Sequence, residues 1–125
     1  MWGGGRAYVD HEPRPGTCTL ARAWLLDGEQ WDQLHLQENG PAGDRYPVLL
    51  DLGEHDGVPA RSFTGPDRLV LAACTRPAPE YLRTIAVGLG EAHGLDRAAA
   101  AAYLLGCPGL AACWSEADLL DALRP

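Results

Sequence analysis

The residue best placed for acid/base chemistry is Glu38, which lies at the end of a predicted amphipathic helix. Asp27 is a favourable N-cap for this helix, which is predicted over Gly28 to Glu38, and Asn39-Gly40-Pro41 ends it. The positions i, i+3, i+4 and i+7 that should face the core are Trp31, Leu34, His35 and Glu38. A carboxyl group held out of water beside the negative end of a helix dipole is suited to accept and then donate a proton.

Two interpretations of Glu38 follow from the spacing alone. Its carboxylate either faces a site on the core side of the helix, or lies at a frayed helix end and points to water. An unpaired buried carboxylate is costly, which favours the second interpretation unless a function requires the first. His35 has the same ambiguity, and a hydrogen-bonded structural histidine is the interpretation that we favour for it.

The elements around this helix are predicted strands in the first half of the chain and helices in the second. Strand composition or alternation marks residues 2–9, 17–26, 46–53 and 58–63, with a hairpin turn at His55-Asp56-Gly57. After a loop that carries an apolar run, Leu69 to Ala73, three helices are predicted: from Glu80 to near Gly94, from the cap Asp96 to before Cys107, and from Ser115 onward. This order predicts a single α+β domain over residues 1–125.

Composition excludes several classes of function. The 125 residues are 46% hydrophobic, which predicts a packed core, and no apolar run approaches the length of a transmembrane helix. The net charge of −7, without a basic stripe, argues against nucleic-acid and anionic-membrane partners. The four cysteines lack zinc-site spacing, so we expect no metal, and free thiols that act as small buried residues in a cytoplasmic protein.

A succession of short motifs runs from Trp2-Gly3-Gly4-Gly5-Arg6-Ala7 through Leu20-Ala21-Arg22-Ala23-Trp24-Leu25-Leu26 and Leu34-His35-Leu36-Gln37-Glu38-Asn39-Gly40 to Tyr46 at the start of a strand. Together these motifs resemble the γ-glutamylcyclotransferase-like family, in a bacterial branch often found in actinomycetes. Two later stretches, residues 78–83 and 89–95, are similar to the same branch. The resemblance covers most of residues 2–109, and the order of the motifs is more specific than any one of them.

The resemblance implies a small, curved, barrel-like mixed sheet with flanking helices and a reaction that needs no cofactor. In that reaction the α-amine of a γ-glutamyl group attacks its own side-chain amide carbonyl, which releases 5-oxoproline and a free amine. By motif, Glu38 matches the glutamate that takes a proton from the attacking ammonium and delivers it to the leaving amine. Tyr46 matches a pocket tyrosine, although a cross-strand packing role explains it equally well. The strand with which the family binds its substrate corresponds in this chain to Trp2, Gly3, Gly4, Gly5 and Arg6.

The chain departs from the family pattern because it contains no Tyr-Gly-Ser-Asn-like loop, the element that holds the glutamyl carboxylate. We therefore expect an N-terminally shortened domain with an exposed sheet edge. Four explanations are open: a misassigned start codon, a fragment of a longer chain, a second copy or partner chain that covers the edge, or a pocket remodelled for another substrate. Arg6, Arg22 and Arg45 are the candidates to replace the loop, and each is equally well explained as a surface charge. Besides the cyclotransferase, a remodelled cyclase or proton-transfer enzyme on a natural-product intermediate and a non-catalytic dimer or partner module remain open.

Overall fold

The fold was obtained as a computed structural model, which describes residues 3–66 and 75–125. The chain divides into two compact units. We call Met1–Ala7 together with Val70–Pro125 the helical unit, and Tyr8–Leu69 the hairpin unit. Within the described ranges there are four α-helices and one two-stranded antiparallel sheet, so the predicted α+β class is confirmed.

The helix of the hairpin unit, α1, spans Gly28–Asn39 and has the predicted cap. The Asp27 carboxylate accepts the backbone N–H of Gln30 at 2.8 Å, and the Gln30 side chain accepts the backbone N–H of Asp27 at 3.0 Å. This reciprocal pair is a capping box, which satisfies two donors that a helix start leaves without partners. Gly40, at a φ of 73°, ends the helix as the sequence predicts.

The sheet of this unit is a hairpin of β1, Val48–His55, and β2, Val58–Thr64. His55 pairs with Val58, so the loop consists of Asp56 and Gly57, whose φ angles are 51° and 77°. Two consecutive positive φ angles define a type I′ turn, which matches the right-handed twist of the strands. The hairpin predicted from Asp56-Gly57 is confirmed, with both strands within two residues of their expected bounds.

Two other predicted strands, residues 2–9 and 17–26, are wrong. The first contributes one isolated bridge, Gly4 to Pro77, and the second has no strand or helix assignment. Trp24 and Leu25, at the end of the second segment, are 69% and 84% exposed. Apolar alternation specifies which face of a strand is buried, whereas a strand also needs a neighbour for its backbone groups. The expected barrel-like sheet is therefore not formed by the described residues, whose two strands remain an open pair.

The helical unit contains the three helices predicted for the second half of the chain. They are α2, Pro79–His93; α3, Arg97–Gly106; and α4, Glu116–Ala122. Asp96 caps α3 by accepting the N–H of Ala99 at 2.8 Å, and Ser115 caps α4 by accepting that of Asp118 at 3.1 Å. Both caps are the residues that the sequence indicates. The apolar run predicted at Leu69 to Ala73 lies outside the described residues.

The apolar core also belongs to the helical unit. Its cluster of buried side chains consists of Leu82, Ala101, Leu104, Leu110, Trp114, Leu119 and Leu123. Of the described residues of the hairpin unit, only Thr64 and Gly65 are buried. The predicted packed core is therefore confirmed for one unit, and the hairpin unit must be held together in another way.

The expectation of four free, buried cysteines is wrong. Cys113 is disulfide-bonded, and Cys18 is a free but exposed thiol. Cys107 is free and half-buried, with its Sγ donating to the Tyr103 carbonyl oxygen at 3.5 Å, and Cys74 lies outside the described residues. The absence of a Cys-x-x-Cys motif argues against a disulfide between cysteines that are close in sequence. It does not exclude a disulfide between cysteines that are distant in sequence.

The two free thiols among the described residues, Cys18 and Cys107, are expected to react at different rates. Burial raises the pKa of the Cys107 thiol, so at neutral pH a smaller fraction is in the thiolate form that reacts. We expect iodoacetamide to label Cys18 about tenfold faster than Cys107 at pH 7. The difference should narrow as the pH rises through the raised pKa of Cys107. Time-resolved peptide mass spectrometry at pH 7 and pH 9 measures both rates, and equal rates at pH 7 would contradict the prediction.

Candidate functional site

The hairpin unit is held together by an aromatic cluster between α1 and the hairpin. Trp31 and His35, one turn apart on α1, stack at 6.3 Å with an angle of 18° between their ring planes. Both rings contact Phe63 of β2, at centroid distances of 5.7 and 5.2 Å. Tyr46 also contacts Phe63, at 5.7 Å, and Tyr8 at 5.5 Å. These rings, half-buried except for the exposed Tyr8, supply the packing that the buried cluster supplies in the other unit.

His35 joins α1 to the chain that enters β1. Its Nε2 lies 3.2 Å from the carbonyl oxygen of Tyr46. A carbonyl oxygen only accepts, so Nε2 carries the proton in this contact. A half-buried ring that stacks on Trp31, contacts Phe63 and donates to the backbone is the structural histidine that the sequence favours.

Asn39 makes the second connection to Tyr46, and sequence reasoning missed this role. Its side-chain oxygen accepts the backbone N–H of Tyr46 at 2.8 Å. Together with the His35 contact, both backbone polar groups of Tyr46 are bound to the last turns of α1. The sequence signal was present, since Asn39 lies one turn after His35, but we assigned it only to the end of the helix.

Glu38 is exposed, so the expectation that it is held out of water is wrong. The inward row of α1 follows i, i+4 and i+8 through Trp31, His35 and Asn39, rather than i+7 through Glu38. An amide satisfies the Tyr46 backbone donor at no charge-burial cost, whereas a carboxylate in that row would have to be desolvated. Glu38 makes no hydrogen bond or ion pair within the part of the chain that the structure describes, so its carboxylate is accessible to a ligand.

Arg45 lies at the same end of α1 as Glu38. Its Cζ is 3.5 Å from the position that a Cβ on Gly40 would take, immediately after the last turn. That turn contains no basic residue, and a cation beside a helix C-terminus is favourable. Arg45 is exposed and forms no ion pair with a carboxylate in residues 3–66 or 75–125. Arg22, in contrast, is positioned over the Trp24 ring, 4.4 Å from its centroid.

The glycines expected to bind substrate have a structural explanation in the helical unit. The N–H of Gly5 donates to the Arg76 carbonyl oxygen at 3.3 Å, and Gly4 forms a bridge with Pro77. A Cβ on Gly4 would overlap the Arg76 carbonyl oxygen, and one on Gly5 would overlap that of Thr75. Close backbone approach therefore accounts for both glycines.

The remaining residues of the predicted substrate-binding strand show no comparable contact. A Cβ on Gly3 would meet nothing within 4 Å, Arg6 is exposed, and Trp2 lies outside the described residues. The predicted site residues are thus divided between the units. Glu38 and Tyr46 belong to the hairpin unit, and the Gly3–Arg6 stretch belongs to the helical unit.

Neither metal chemistry nor a membrane span gives a further clue to function. No group of three His, Cys, Asp or Glu side chains within residues 3–66 and 75–125 could hold a metal ion. Among these residues, no helix has the length and apolar character needed to cross a bilayer. Comparison of the chain with protein-family models, curated proteins and solved structures finds no match in any of the three.

Proposed function

We propose that the hairpin unit binds a γ-glutamyl amide at the C-terminal end of α1 and cyclises it to 5-oxoproline without a cofactor. The observation that carries this proposal is the placement of two exposed, opposite charges at that end. Glu38 lies in the last turn of the helix, and the Arg45 guanidinium lies beside Gly40. A γ-glutamyl group carries an α-ammonium and an α-carboxylate, so its charges are complementary to this pair.

Each charged residue has a separate role in the proposed reaction. Arg45 binds the α-carboxylate through paired N–H donors, which replaces the loop that the family uses. Glu38 takes a proton from the α-ammonium, and the freed amine attacks the side-chain carbonyl carbon. The new C–N bond closes the five-membered ring while the bond to the departing amine breaks. Glu38 returns this first proton to the departing nitrogen, then takes the second proton that the ring nitrogen must lose and passes it to the same amine, which leaves as an ammonium ion, so the reaction consumes no co-reactant.

The C-terminal end of α1, which carries Glu38, supports the proposal because two hydrogen bonds and a ring contact hold it in position. Asn39, adjacent to Glu38, binds the Tyr46 N–H, and His35, one turn earlier, binds the Tyr46 carbonyl. The Tyr46 ring contacts both Phe63 and Tyr8. A proton-transfer group must keep its position relative to the bound substrate, and contacts of this kind restrict the helix end that carries it.

Glu38→Gln tests the proposed proton transfer. We expect kcat for 5-oxoproline release to fall by about 10²–10⁴-fold, the usual contribution of a general acid/base group. The assay offers a panel of γ-glutamyl amines and detects 5-oxoproline by mass spectrometry. Glu29→Gln is the matched control, since Glu29 is an exposed glutamate in the first turn of the same helix. Unchanged turnover in Glu38→Gln, or no 5-oxoproline from any amine, would overturn the proposal.

Arg45→Gln separates substrate binding from proton transfer. Loss of a carboxylate partner should raise KM at least tenfold while kcat changes less, because the interaction is present before and during reaction. Arg61→Gln, an exposed arginine of β2, should leave both constants unchanged. A fall in kcat alone would contradict the role of Arg45. Turnover of a non-glutamyl compound that still requires Glu38 would instead favour the remodelled cyclase.

A second candidate function, a non-catalytic partner module, is favoured by a different observation. The hairpin unit has a two-stranded sheet with exposed Leu49, Leu52 and Val58, and each strand has one edge without a strand partner in the described structure. Open edges and exposed apolar strand residues are features of sheets that pair with another chain. Sedimentation velocity tests this candidate: a concentration-dependent dimer that Val58→Lys disrupts, with no activity in the cyclisation assay, would support it over the enzyme.

A further inference from the structure

One edge of the hairpin is blocked to a further strand. His55 and Val58 flank the two-residue turn and pair with each other, so their backbone groups bond across the ladder. Bonded and non-bonded positions alternate along a strand, so the backbone groups of the next residue, Pro59, point away from β1. Proline has no N–H, and a proline on an outer edge hinders the pairing of another strand there.

The other edge, which belongs to β1, is open. The bulge between Asp51 and Glu54 adds its extra residue to β1, so the alternation continues along β2 and the backbone groups of Arg61 and Phe63 also point outward. Their partners on β1, Asp51 and Leu49, therefore direct their own N–H and C=O groups away from β2. No residue of the described ranges forms a hydrogen bond with these four groups. We call the backbone of Leu49 to Asp51 the β1 edge.

Two side chains on one face of the sheet border the β1 edge. Leu49 and Asp51 are two residues apart, so their side chains share a face, and Leu49 is 54% exposed. The Asp51 carboxylate accepts the Gly53 N–H at 2.9 Å through Oδ1. No basic nitrogen of the described residues lies within 4 Å of this carboxylate, even though Arg61 is the partner of Asp51 across the ladder. A further strand would therefore meet one apolar side chain and one carboxylate that these residues leave without an ion pair.

The charge around this edge remains negative when every arginine of the unit is counted. Residues 8–69 contain eleven Asp and Glu and five Arg, which gives a net charge of −6 out of −7 for the whole chain when histidine is neutral. The hairpin itself, residues 48–64, contains Asp51, Glu54 and Asp56 and the single arginine Arg61. This potential attracts a basic strand and repels a second copy of the same unit.

A third strand would also supply packing that the outer half of the hairpin lacks. Phe63, near the end of β2, contacts the Trp31 and His35 rings of α1. Residues 51–59, in contrast, are all exposed. A two-stranded hairpin alone is marginally stable in water, and a third strand is a usual source of further stability.

We propose that the β1 edge binds an extended, basic segment of a partner protein as a third strand. One arginine or lysine of that segment lies beside Asp51, and an apolar side chain two residues away lies beside Leu49, because alternate residues of a strand share a face. Opposite-charge and apolar cross-strand pairs each stabilise such pairing. The inference rests on the partner-module candidate above, whose partner it specifies, and not on the chemistry proposed for Glu38.

Three heptapeptides test this proposal by amide hydrogen exchange, measured by NMR on the full chain. The first is acetyl-Thr-Val-Arg-Val-Leu-Val-Thr-amide, the second has glutamate in place of arginine, and the third has N-methyl groups on the arginine and leucine amides. We expect the arginine peptide to slow exchange at the Leu49 and Asp51 amides at least fivefold, and to bind at least fivefold more tightly than the glutamate peptide. The N-methylated peptide should give no protection, because it keeps the charge but lacks the backbone donors of an added strand.

Asp51→Asn tests the charge at the β1 edge. We expect this variant to bind the arginine peptide about two- to fivefold more weakly, the usual effect of one cross-strand charge pair. The asparagine oxygen can still accept the Gly53 N–H, so the bulge is retained. Asp32→Asn is the matched control, because it removes an exposed carboxylate from α1 of the same unit, and it should change the affinity less than twofold.

The outcomes distinguish this inference from both proposed functions. Equal affinity for the arginine and glutamate peptides, or full affinity in Asp51→Asn, would overturn the basic partner and leave strand pairing in place. Absence of protection at both amides with every peptide would overturn the docking site itself. Slow exchange at both amides in the protein alone, with a dimer in sedimentation velocity, would overturn the proposal in favour of a second copy. Failure of the cyclisation assay changes none of these results.

Discussion

Trp114→Ala is expected to lower the free energy of unfolding of the helical unit by about 3–5 kcal/mol, the usual cost of removing a large core aromatic residue. The Trp114 side chain is 5% exposed and belongs to the buried cluster that includes Leu82 and Leu119. Its ring also lies beneath the Arg76 guanidinium, 3.9 Å from the centroid, so the substitution removes a cation–π contact as well as apolar contacts.

Trp114→Phe should cost much less, because the indole N–H is a liability in this position. Nε1 of Trp114 is buried and has no hydrogen-bond acceptor in the described part of the chain. An unsatisfied buried donor costs about 1–3 kcal/mol, and phenylalanine removes that donor while it retains an aromatic ring beneath Arg76. We therefore expect the phenylalanine variant to lose about 1 kcal/mol or less, since relief of the donor offsets part of the lost volume.

Urea unfolding followed by far-ultraviolet circular dichroism measures both variants, since most of the described helix belongs to the helical unit. Val87→Ala is the control, because Val87 is exposed on α2 and should change stability by less than about 0.5 kcal/mol. Equal losses for Trp114→Phe and Trp114→Ala would contradict the prediction that the indole N–H is a liability in this position.

Three of the four described helices, α1, α3 and α4, could be predicted because their first residues are specified by a cap close in sequence. Asp27, Asp96 and Ser115 each accept a backbone N–H two or three residues into the helix, which is a local interaction. The Asp56-Gly57 turn is local in the same sense, since two positive φ angles are readily adopted by these residue types. No distant contact is needed to recognise any of these features.

The two segments that were predicted as strands, residues 2–9 and 17–26, show which features the local sequence does not determine. Residues 17–26 alternate in the manner of a strand, yet the structure assigns them none, because strand formation depends on a neighbour that the segment itself does not encode. The Gly4–Pro77 bridge is the opposite case, a pairing between residues far apart in sequence that no alternation indicates. Pairing partners are a tertiary property, and a single sequence contains little information about them.

The candidate site was predicted in part for the same reason. Spacing placed Trp31 and His35 on the inward face of α1, and both lie in the aromatic cluster. Helical spacing could not decide whether Glu38 or Asn39 continues that face. Counted from Trp31 these residues are i+7 and i+8, and they lie on either side of the centre of the inward face. The Tyr46 N–H decides it, because the Asn39 amide oxygen accepts this hydrogen bond without the desolvation cost that a carboxylate would have in the same row. The exposed Glu38 then shares the helix end with Arg45, a neighbour that helical spacing does not indicate.

Gly5→Ala is expected to destabilise the helical unit by about 1–3 kcal/mol, as overpacking usually does. An alanine Cβ would overlap the Thr75 carbonyl oxygen, a backbone atom that cannot rotate away. The segment that contains Gly5 must then separate from residues 75–77, which breaks the hydrogen bond from Gly5 to Arg76. Urea unfolding measures the loss of stability, and hydrogen exchange at the Gly5 amide reports the broken contact directly.

Gly3→Ala is the matched control, because a Cβ at that position meets nothing within 4 Å. Its stability should stay within about 0.5 kcal/mol of the parent protein. Gly4→Ala should lose at least as much as Gly5→Ala, since Gly4 combines the overlap with a φ of 89° that alanine rarely adopts. If Gly5→Ala instead kept full stability and raised KM for a γ-glutamyl substrate, the glycines would belong to the substrate site, as the resemblance implies, rather than to the folding of the helical unit.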